Sequence, residues 1–362
     1  MKEYRRICAY IDLDALTHNL DEIHRCIRKE TKIIAVVKAD GYGHGAVPLA
    51  EVMEKREDVW GYAVATTEEA EELYTNGIKK PILILGYTFP EYDAQIVQEN
   101  LRPAVFSLIR AKQLSEEAMR QDKICKIHIK LDTGMSRIGF QVTEQSADEI
   151  AQIAKLPHIM IEGIFTHFAT ADDFSQDDEY EKQLALFKSI VGNNRFKYIH
   201  CDNSAAMMFH HSDYGNLTRI GIAMYGVDPR GEENSDLKQA MSLYTKVAMV
   251  KVVPKGEKIG YGMTYTADED QYIATLPIGY ADGFTRANQG REVYINGHYY
   301  PVVGRVCMDQ CMVKVDENVK PGDDVEIFGE HISLAKMAKE INTIPYEIIC
   351  LISPRVERIY EK

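Results

Sequence analysis

Eight short apolar runs, with amphipathic stretches between them, fill the first two thirds of this chain, and no other feature constrains its fold as much. The runs are residues 33–38, 60–65, 82–86, 103–106, 125–131, 160–166, 198–201 and 218–223. Between them, residues 67–73 read as a helix with Thr66 or Thr67 as N-cap. Residues 183–191 read as another, with Leu184, Phe187, Ile190 and Val191 on one face. Strand–helix alternation repeated eight times predicts parallel strands joined by right-handed crossovers. Eight such units predict a closed (β/α)8 barrel of the TIM type, with an open doubly wound sheet as the alternative.

After about Tyr244 the helical periods vanish until Ser333. Short β-type runs replace them at 247–253, 271–277, 292–295, 299–303, 311–315 and 324–328. Turn signals such as Asn296-Gly297 and Pro321-Gly322-Asp323-Asp324 separate these runs. The expected layout is a barrel over residues 12–232 and a mainly β domain over 1–11 and 233–362. A linker is expected at 228–236, and residues 8–13 read as a strand able to join the β domain.

The length of 362 residues suits two domains. The formal net charge of -13 argues against nucleic acid as a partner, since phosphate binding needs a basic surface. Seven cysteines, an odd number without paired spacing, suit reduced thiols in the cytoplasm. Cys307 and Cys311 lie four apart with no completing pair, so they read as buried structural thiols and no metal is expected. The opening MKEYRRICAYIDLDAL has no apolar signal core, and no segment approaches a membrane span.

The sharpest local signal is Ala35-Val36-Val37-Lys38-Ala39-Asp40-Gly41-Tyr42-Gly43-His44-Gly45. A strand ends in a lysine, and a glycine-rich turn then opens a helix. Active sites of such barrels lie at the C-terminal ends of the strands. Partial burial there lowers an amine's pKa and makes it a Schiff-base nucleophile. A surface lysine at a strand end is the plainer reading, and the run alone does not separate the two. Ser204, after the seventh run, suits a helix cap or a phosphate ligand. Arg219 lies inside an apolar strand, which is costly unless it is paired. A structural ion pair is one explanation.

Taken together, these motifs resemble those of the alanine racemases over nearly the whole chain. The resemblance implies that Lys38 forms an imine with pyridoxal 5'-phosphate. It also implies that Tyr42, Ser204 and the backbone of Gly221 and Ile222 hold the phosphate. Arg219 would face the pyridine nitrogen and weaken the electron sink, which suits a reaction that only removes and returns a proton. Gly260-Tyr261-Gly262 matches the segment carrying the second base, Tyr261, and His167 matches the histidine bonded to that tyrosine. Free tyrosine ionises near pH 10, so such a base needs tuning. Arg137 matches the arginine that binds the substrate carboxylate. Lys130 matches a lysine that is often carbamylated. In Val306-Cys307-Met308-Asp309-Gln310, Met308 is expected to offer its N–H to the substrate carboxylate and Asp309 to support the tyrosine. Tyr280 resembles an entryway tyrosine.

The implied protein is a cytoplasmic isomerase, a homodimer with shared sites, supplying D-alanine for peptidoglycan. Pro354 stands where many alanine racemases have a tyrosine, and serine racemase domains also depart from tyrosine at this point, so serine is the alternative substrate. A non-catalytic pyridoxal-phosphate carrier resembles the barrel alone. A decarboxylase of related fold needs β-domain motifs not found here.

Overall fold

The structure, a computed structural model, describes residues 6–192, 196–210, 214–234 and 236–362. The chain divides into two compact units. One holds residues up to Asn19, Tyr42–His44 and Tyr225–Lys362; the other holds Leu20–Gly41 and Gly45–Met224.

Strand β1 (Ile7–Asp12) belongs to the first unit. The second unit is built on β2 (Lys32–Val36), β3 (Val59–Val64), β4 (Ile82–Ile84), β5 (Arg102–Val105), β6 (Cys125–Asp132), the two-residue β7 (Phe140–Gln141), β8 (Ile159–Phe165), β9 (Tyr198–His200) and β10 (Leu217–Ile220). Apart from β7, which flanks β6, these strands pair in parallel in the order β10-β2-β3-β4-β5-β6-β8-β9. The ring is completed where the Arg219 N–H donates to Asp202 O at 3.0 Å. The expected eight-stranded barrel is therefore what forms. Its strands read as continuous apolar runs because both faces are covered; all six residues of β3 are buried.

Every one of the eight runs contains a strand, and the ends explain the differences. The first strand stops at Val36, two residues before Lys38, because Lys38 opens a helical turn. The eighth stops at Ile220 rather than residue 223. Gly221 turns its N–H to Ser204 Oγ at 3.0 Å, and Ile222–Tyr225 coils into a 3-10 turn.

The helix Thr67–Thr75 is capped by Thr66, whose hydroxyl accepts from Glu69 N while Glu69 reaches back to Thr66 N. The helix Asp177–Val191 begins six residues earlier than expected. It buries Tyr180, Gln183, Leu184, Phe187 and Val191, with Ile190 half-buried.

After the barrel come β11 (Met241–Lys246), β12 (Met249–Val253), β13 (Lys258–Ile259), β14 (Tyr265–Thr266), β15 (Gln271–Leu276), β16 (Glu292–Ile295), β17 (His298–Val303), β18 (Cys311–Val315), β19 (Asp324–Phe328) and β20 (Glu357–Glu361). The large sheet runs β12-β15-β18-β17-β16-β19-β11-β1-β20, all antiparallel except β1 with β20. The early strand thus joins the β domain, between β11 and β20; residues 1–5 of that segment, like Ser235 in the expected linker, lie outside the described residues. Asn296 (φ 49°) and Gly297 (φ 90°) make the two-residue hairpin between β16 and β17, where both central residues must be left-handed. A helix, Leu334–Glu340, starts at Ser333 as its cap.

All seven cysteines are thiols outside any disulfide, and the pair expected to be buried is split: Cys311 is buried but Cys307 only half-buried. No helix among the described residues is long and apolar enough to cross a membrane.

Candidate active site

In the barrel unit, Lys38 follows β2 by two residues and is half-buried. The turn it opens is left-handed: Ala39 has φ/ψ 52°/49°, Asp40 52°/52° and Gly41 61°/40°. Each non-glycine residue there costs roughly 1–2 kcal/mol. Local bonds offset that cost. Gly41 N–H donates to Val37 O at 2.8 Å and Gly45 N–H to Asp40 O at 2.9 Å. Asp40 Oδ1 accepts from Ala46 N at 2.8 Å, and Glu69 Oε1 from Ala39 N at 2.6 Å. Glycine suits position 41, since a Cβ there would press on Leu49 Cδ1 at 2.9 Å and Ala46 N at 3.3 Å. The lysine is thereby held on a stiff pedestal.

Arg219 on β10 is buried, and its partners are all neutral. Nη1 donates to His200 Nδ1 at 2.9 Å and His200 O at 2.8 Å. Nη2 donates to Thr166 O at 2.7 Å and Cys201 O at 2.9 Å, and lies 3.4 Å from His167 Nδ1. The guanidinium also stands 5.5 Å over the Phe165 ring. Burial lowers its pKa to about 10, so it stays charged at neutral pH. This is not the structural ion pair that a buried arginine suggests. These hydrogen bonds all go to dipoles, and Asp202 acts on the charge only at longer range.

That charge shapes its neighbours. His167 is pushed well below its ordinary pKa by burial and by the cations of Arg219, Lys130, Arg137 and Lys38. Lys130, buried on β6, donates to Leu131 O at 2.6 Å and stands 5.4 Å over Phe165. Burial first, then the Arg219 charge, pulls its amine down to about 7. Arg137 is exposed, in a loop ordered by Asp132, whose Oδ1 accepts from Gly134 N and Ser136 N at 3.0 Å each. Sequence order hides this convergence, but the barrel brings Lys38, Lys130, Arg137, His167 and Arg219 into one electrostatic neighbourhood.

Ser204 and Gly221 meet directly through their 3.0 Å bond, with Ile222 next in the chain. Ser204 is not the helix cap; Asn203 takes that role, its Oδ1 accepting from Ala206 N at 2.9 Å. Sequence reasoning passed over Asn203, and also over His200, which binds Arg219.

The other candidates lie in the β unit. Tyr42 is buried there, its ring stacked 5.0 Å from Tyr225, and burial raises its phenol pKa. Tyr261 is 71% exposed, Met308 53% and Tyr280 44%. Tyr261 sits between Gly260 (φ 76°) and Gly262 (φ 71°), and a Cβ on Gly262 would come within 2.9 Å of Arg305 Nη1. The Tyr280 and Met308 segments are knitted together. Tyr280 N–H donates to Cys307 O at 3.1 Å, and Ala281 N–H to Met308 O at 3.0 Å. Gly279 permits this approach, because a Cβ would fall 2.4 Å from both carbonyl oxygens.

Asp309 is exposed and bonded to Arg355 Nη2 at 2.6 Å. Arg355 Nε binds the fully buried Asp282 at 2.7 Å, which Arg6 also binds at 2.7 Å. Asp282 and Arg355 went unnoticed in the sequence; an acidic residue inside Gly279-Tyr280-Ala281-Asp282-Gly283 was the available signal. Pro354, beside Arg355, is exposed.

Residues 11–229 match the family model "Alanine racemase, N-terminal domain", and residues 240–360 match "Alanine racemase, C-terminal domain". The chain is 43% identical to alanine racemase 1 of Clostridium acetobutylicum, covering 100% of this chain and 97% of that one. It is 42% identical to the alanine racemase of Methanococcus maripaludis, covering 98% of each. The solved alanine racemase of Clostridium difficile 630 superposes with a TM-score of 0.93 at 42% identity, over 99% of this chain and 97% of that one. On likeness that runs through both domains, this chain belongs to the alanine racemase family.

Proposed function

We propose that the protein interconverts L- and D-alanine with pyridoxal 5'-phosphate, as a cytoplasmic homodimer supplying D-alanine for peptidoglycan. The observation that carries this reading is the buried Arg219, hydrogen-bonded to dipoles and flanked by neutral imidazoles in a barrel whose strand ends also carry Lys38. The cofactor fits the residues present. Ser204 Oγ and the Gly221 N–H converge after the last two barrel strands, where barrels of this type hold phosphate. Lys38 supplies the amine, and Tyr42, Gly221 and Ile222 complete the proposed holding set.

When bound, pyridoxal phosphate withdraws electrons from the Cα–H bond of the amino acid. The chain's own residues do the rest. Lys38 Nζ takes or returns the α-proton on one side, and the Tyr261 hydroxyl on the other. Arg219 can only donate, so His167 Nδ1 must accept, which leaves the Nε2–H of His167 to support the phenolate of Tyr261. Arg219, kept cationic, disfavours a proton on the pyridine nitrogen. Arg137 and the Met308 N–H bind the substrate carboxylate. Lys130, with its amine near neutrality, is suited to carbamylation, and the resulting anion would orient Arg137. Asp309 steadies the tyrosine segment, and Tyr280 guards the entry.

In this reading residues 12–232 form the cofactor domain, and residues 1–11 and 233–362 reach the partner's site. The high exposure of Tyr261, Met308 and Tyr280 supports that arrangement. Serine as the main substrate is not favoured, since relatives spanning the whole chain are alanine racemases. The β-domain match likewise weighs against a barrel-only carrier. The test is a D-amino-acid-oxidase-coupled assay with L-alanine. Turnover that disappears in Lys38→Ala is expected, and no turnover at full cofactor occupancy would reject the reading.

A further inference from the structure

The polar chain that begins at Arg219 does not stop at His200. His200 Nε2 lies 2.8 Å from His128 Nδ1. His128 Nε2 faces Glu162 Oε2 at 3.7 Å and has no hydrogen-bond partner at shorter range. Glu162 Oε2 also accepts from Arg102 Nε at 3.3 Å. These side chains come from β10, β9, β6, β8 and β5 and fill the barrel interior, each of them buried. Space for the chain is built in. A Cβ on Gly163 would stand 2.6 Å from His128 Nδ1, so only glycine admits the ring. Phe165 stacks 4.7 Å from His200, and Trp60 lies 5.7 Å from His128.

The proton positions follow from the two ends. Arginine only donates, so His200 Nδ1 must accept. Burial, followed by the charge of Arg219, His128 and Lys130, keeps His200 neutral. A neutral imidazole has one donor, so the His200 proton sits on Nε2. It then donates to His128 Nδ1. Burial outweighs Glu162 and keeps His128 neutral too, so its proton sits on Nε2. That proton points at a carboxylate, which only accepts. Glu162 is ionised: burial opposes this, but His128 and Arg102 outweigh it and bring its pKa to about 2. A donor-only group at one end and an acceptor-only group at the other demand the same polarity.

We infer that Glu162 and His128 are positioning residues that support, from the far end, the Nε2–H tautomer Arg219 requires of His200 and thereby hold the Arg219 guanidinium in one plane at the site. The reversed tautomer would set two N–H groups against each other at Arg219. A cationic His200 would add a second charge beside it. The inference rests on the racemase reading only for what Arg219 does to the cofactor; the tautomers are observable without substrate.

The experiment is NMR of the holoenzyme with ring-¹⁵N histidine, His128 and His200 being assigned with His128→Gln and His200→Gln. Both rings are expected as pure Nε2–H forms, unchanged from about pH 6 to about pH 9. A proton on Nδ1 of either ring, or an imidazolium signal at about pH 7, overturns the inference. Glu162→Leu leaves the His128 Nε2–H without its acceptor, so it should shift the ring-¹⁵N signals of His128 and His200 without moving the protons that Arg219 sets, and lower kcat on the order of tenfold with KM for alanine little changed. Glu162→Gln, which keeps an acceptor oxygen, should restore both. Unshifted ring signals and intact kcat in Glu162→Leu would remove the positioning role. Should Glu162→Leu fail to fold, a proton on Nδ1 of either ring in the wild-type or Glu162→Gln spectra still overturns the inference. Pure wild-type tautomers without alanine turnover would sink the racemase reading instead.

Discussion

Apart from the exposed Arg137 and the buried Tyr42, the barrel and the β domain carry their candidate groups in opposite ways. Arg219, Lys130 and His200 are enclosed by the barrel, their charge and protonation set by burial and by fixed dipoles. Tyr261 and Tyr280 stand beside turn glycines and Met308 on the turn packed against Gly279, with most or nearly half of their surface open. A buried charge can be tuned inside one chain. An exposed phenol has no such environment, so on the proposed reading it waits for the partner subunit. On that reading the barrel residues are tuned within their own chain, while the β-domain residues are fixed only in backbone geometry.

The largest effect that tests this contrast is loss of the phenol. Tyr261→Phe should lower racemisation by about 10²–10⁴-fold, the usual weight of a proton-transfer group, while leaving cofactor absorbance unchanged. Mixing it with Lys38→Ala should restore activity. If the sites are shared, random exchange gives about half heterodimers, each with one intact site, and so about a quarter of wild-type activity. Mixtures that contain heterodimers by light scattering yet stay inactive would show that each chain builds its own site.

Next in size is the barrel charge. Arg219→Leu strips the donors from His200 Nδ1 and from the carbonyls of Thr166, His200 and Cys201. Leaving these buried acceptors unpaired should destabilise the fold by about 1–3 kcal/mol, read as the urea midpoint. Asp309→Asn, at an exposed bridge, should barely move it. Equal shifts for the two variants would erase the contrast between the domains.

Acid should also find the barrel first. Glu162 has its pKa lowered from 4.5 to about 2 in the folded state. A depressed carboxyl contributes stability above its unfolded pKa and loses it as pH falls through its folded pKa. Its share should therefore fade between about pH 4.5 and about pH 2 and be absent from the acid titration of Glu162→Gln stability. Superimposable curves for the two proteins in that window would remove Glu162 from the account.

Legibility in the sequence followed how local each signal was. The eight barrel strands were readable because strands covered on both faces are unbroken apolar runs. The cap at Thr66 was readable because its partner Glu69 is three residues away. β20 was not, since Glu357–Glu361 is a charged edge strand whose partner β1 lies at the other end of the chain. The left-handed turn after Lys38 was hidden because Ala39 and Asp40 are ordinary residues in an unusual conformation that their neighbours impose. Ser204 looked like a cap, but the adjacent Asn203 took the helix and freed the hydroxyl for Gly221. The His200–His128–Glu162 chain was unreadable, because its members meet only when β9, β6 and β8 lie side by side.

The smallest effect separates helix from site within the barrel itself. Thr66 and Glu69 form one capping box, but Glu69 also accepts from Ala65 N at 2.6 Å and, through Oε1, from Ala39 N at 2.6 Å. Thr66→Ala removes one cap bond and should cost about 1 kcal/mol with kcat unchanged. Glu69→Ala removes the same box and also frees the Ala39 N–H, so the left-handed turn loses an anchor next to Lys38. It should therefore lower cofactor affinity or kcat beyond what its stability loss explains, measured by cofactor titration at a temperature where both variants are fully folded. If the two variants match in cofactor affinity and kcat, the helix cap stabilises the barrel without setting the lysine, and the pedestal must be held by Asp40 and Gly41 instead.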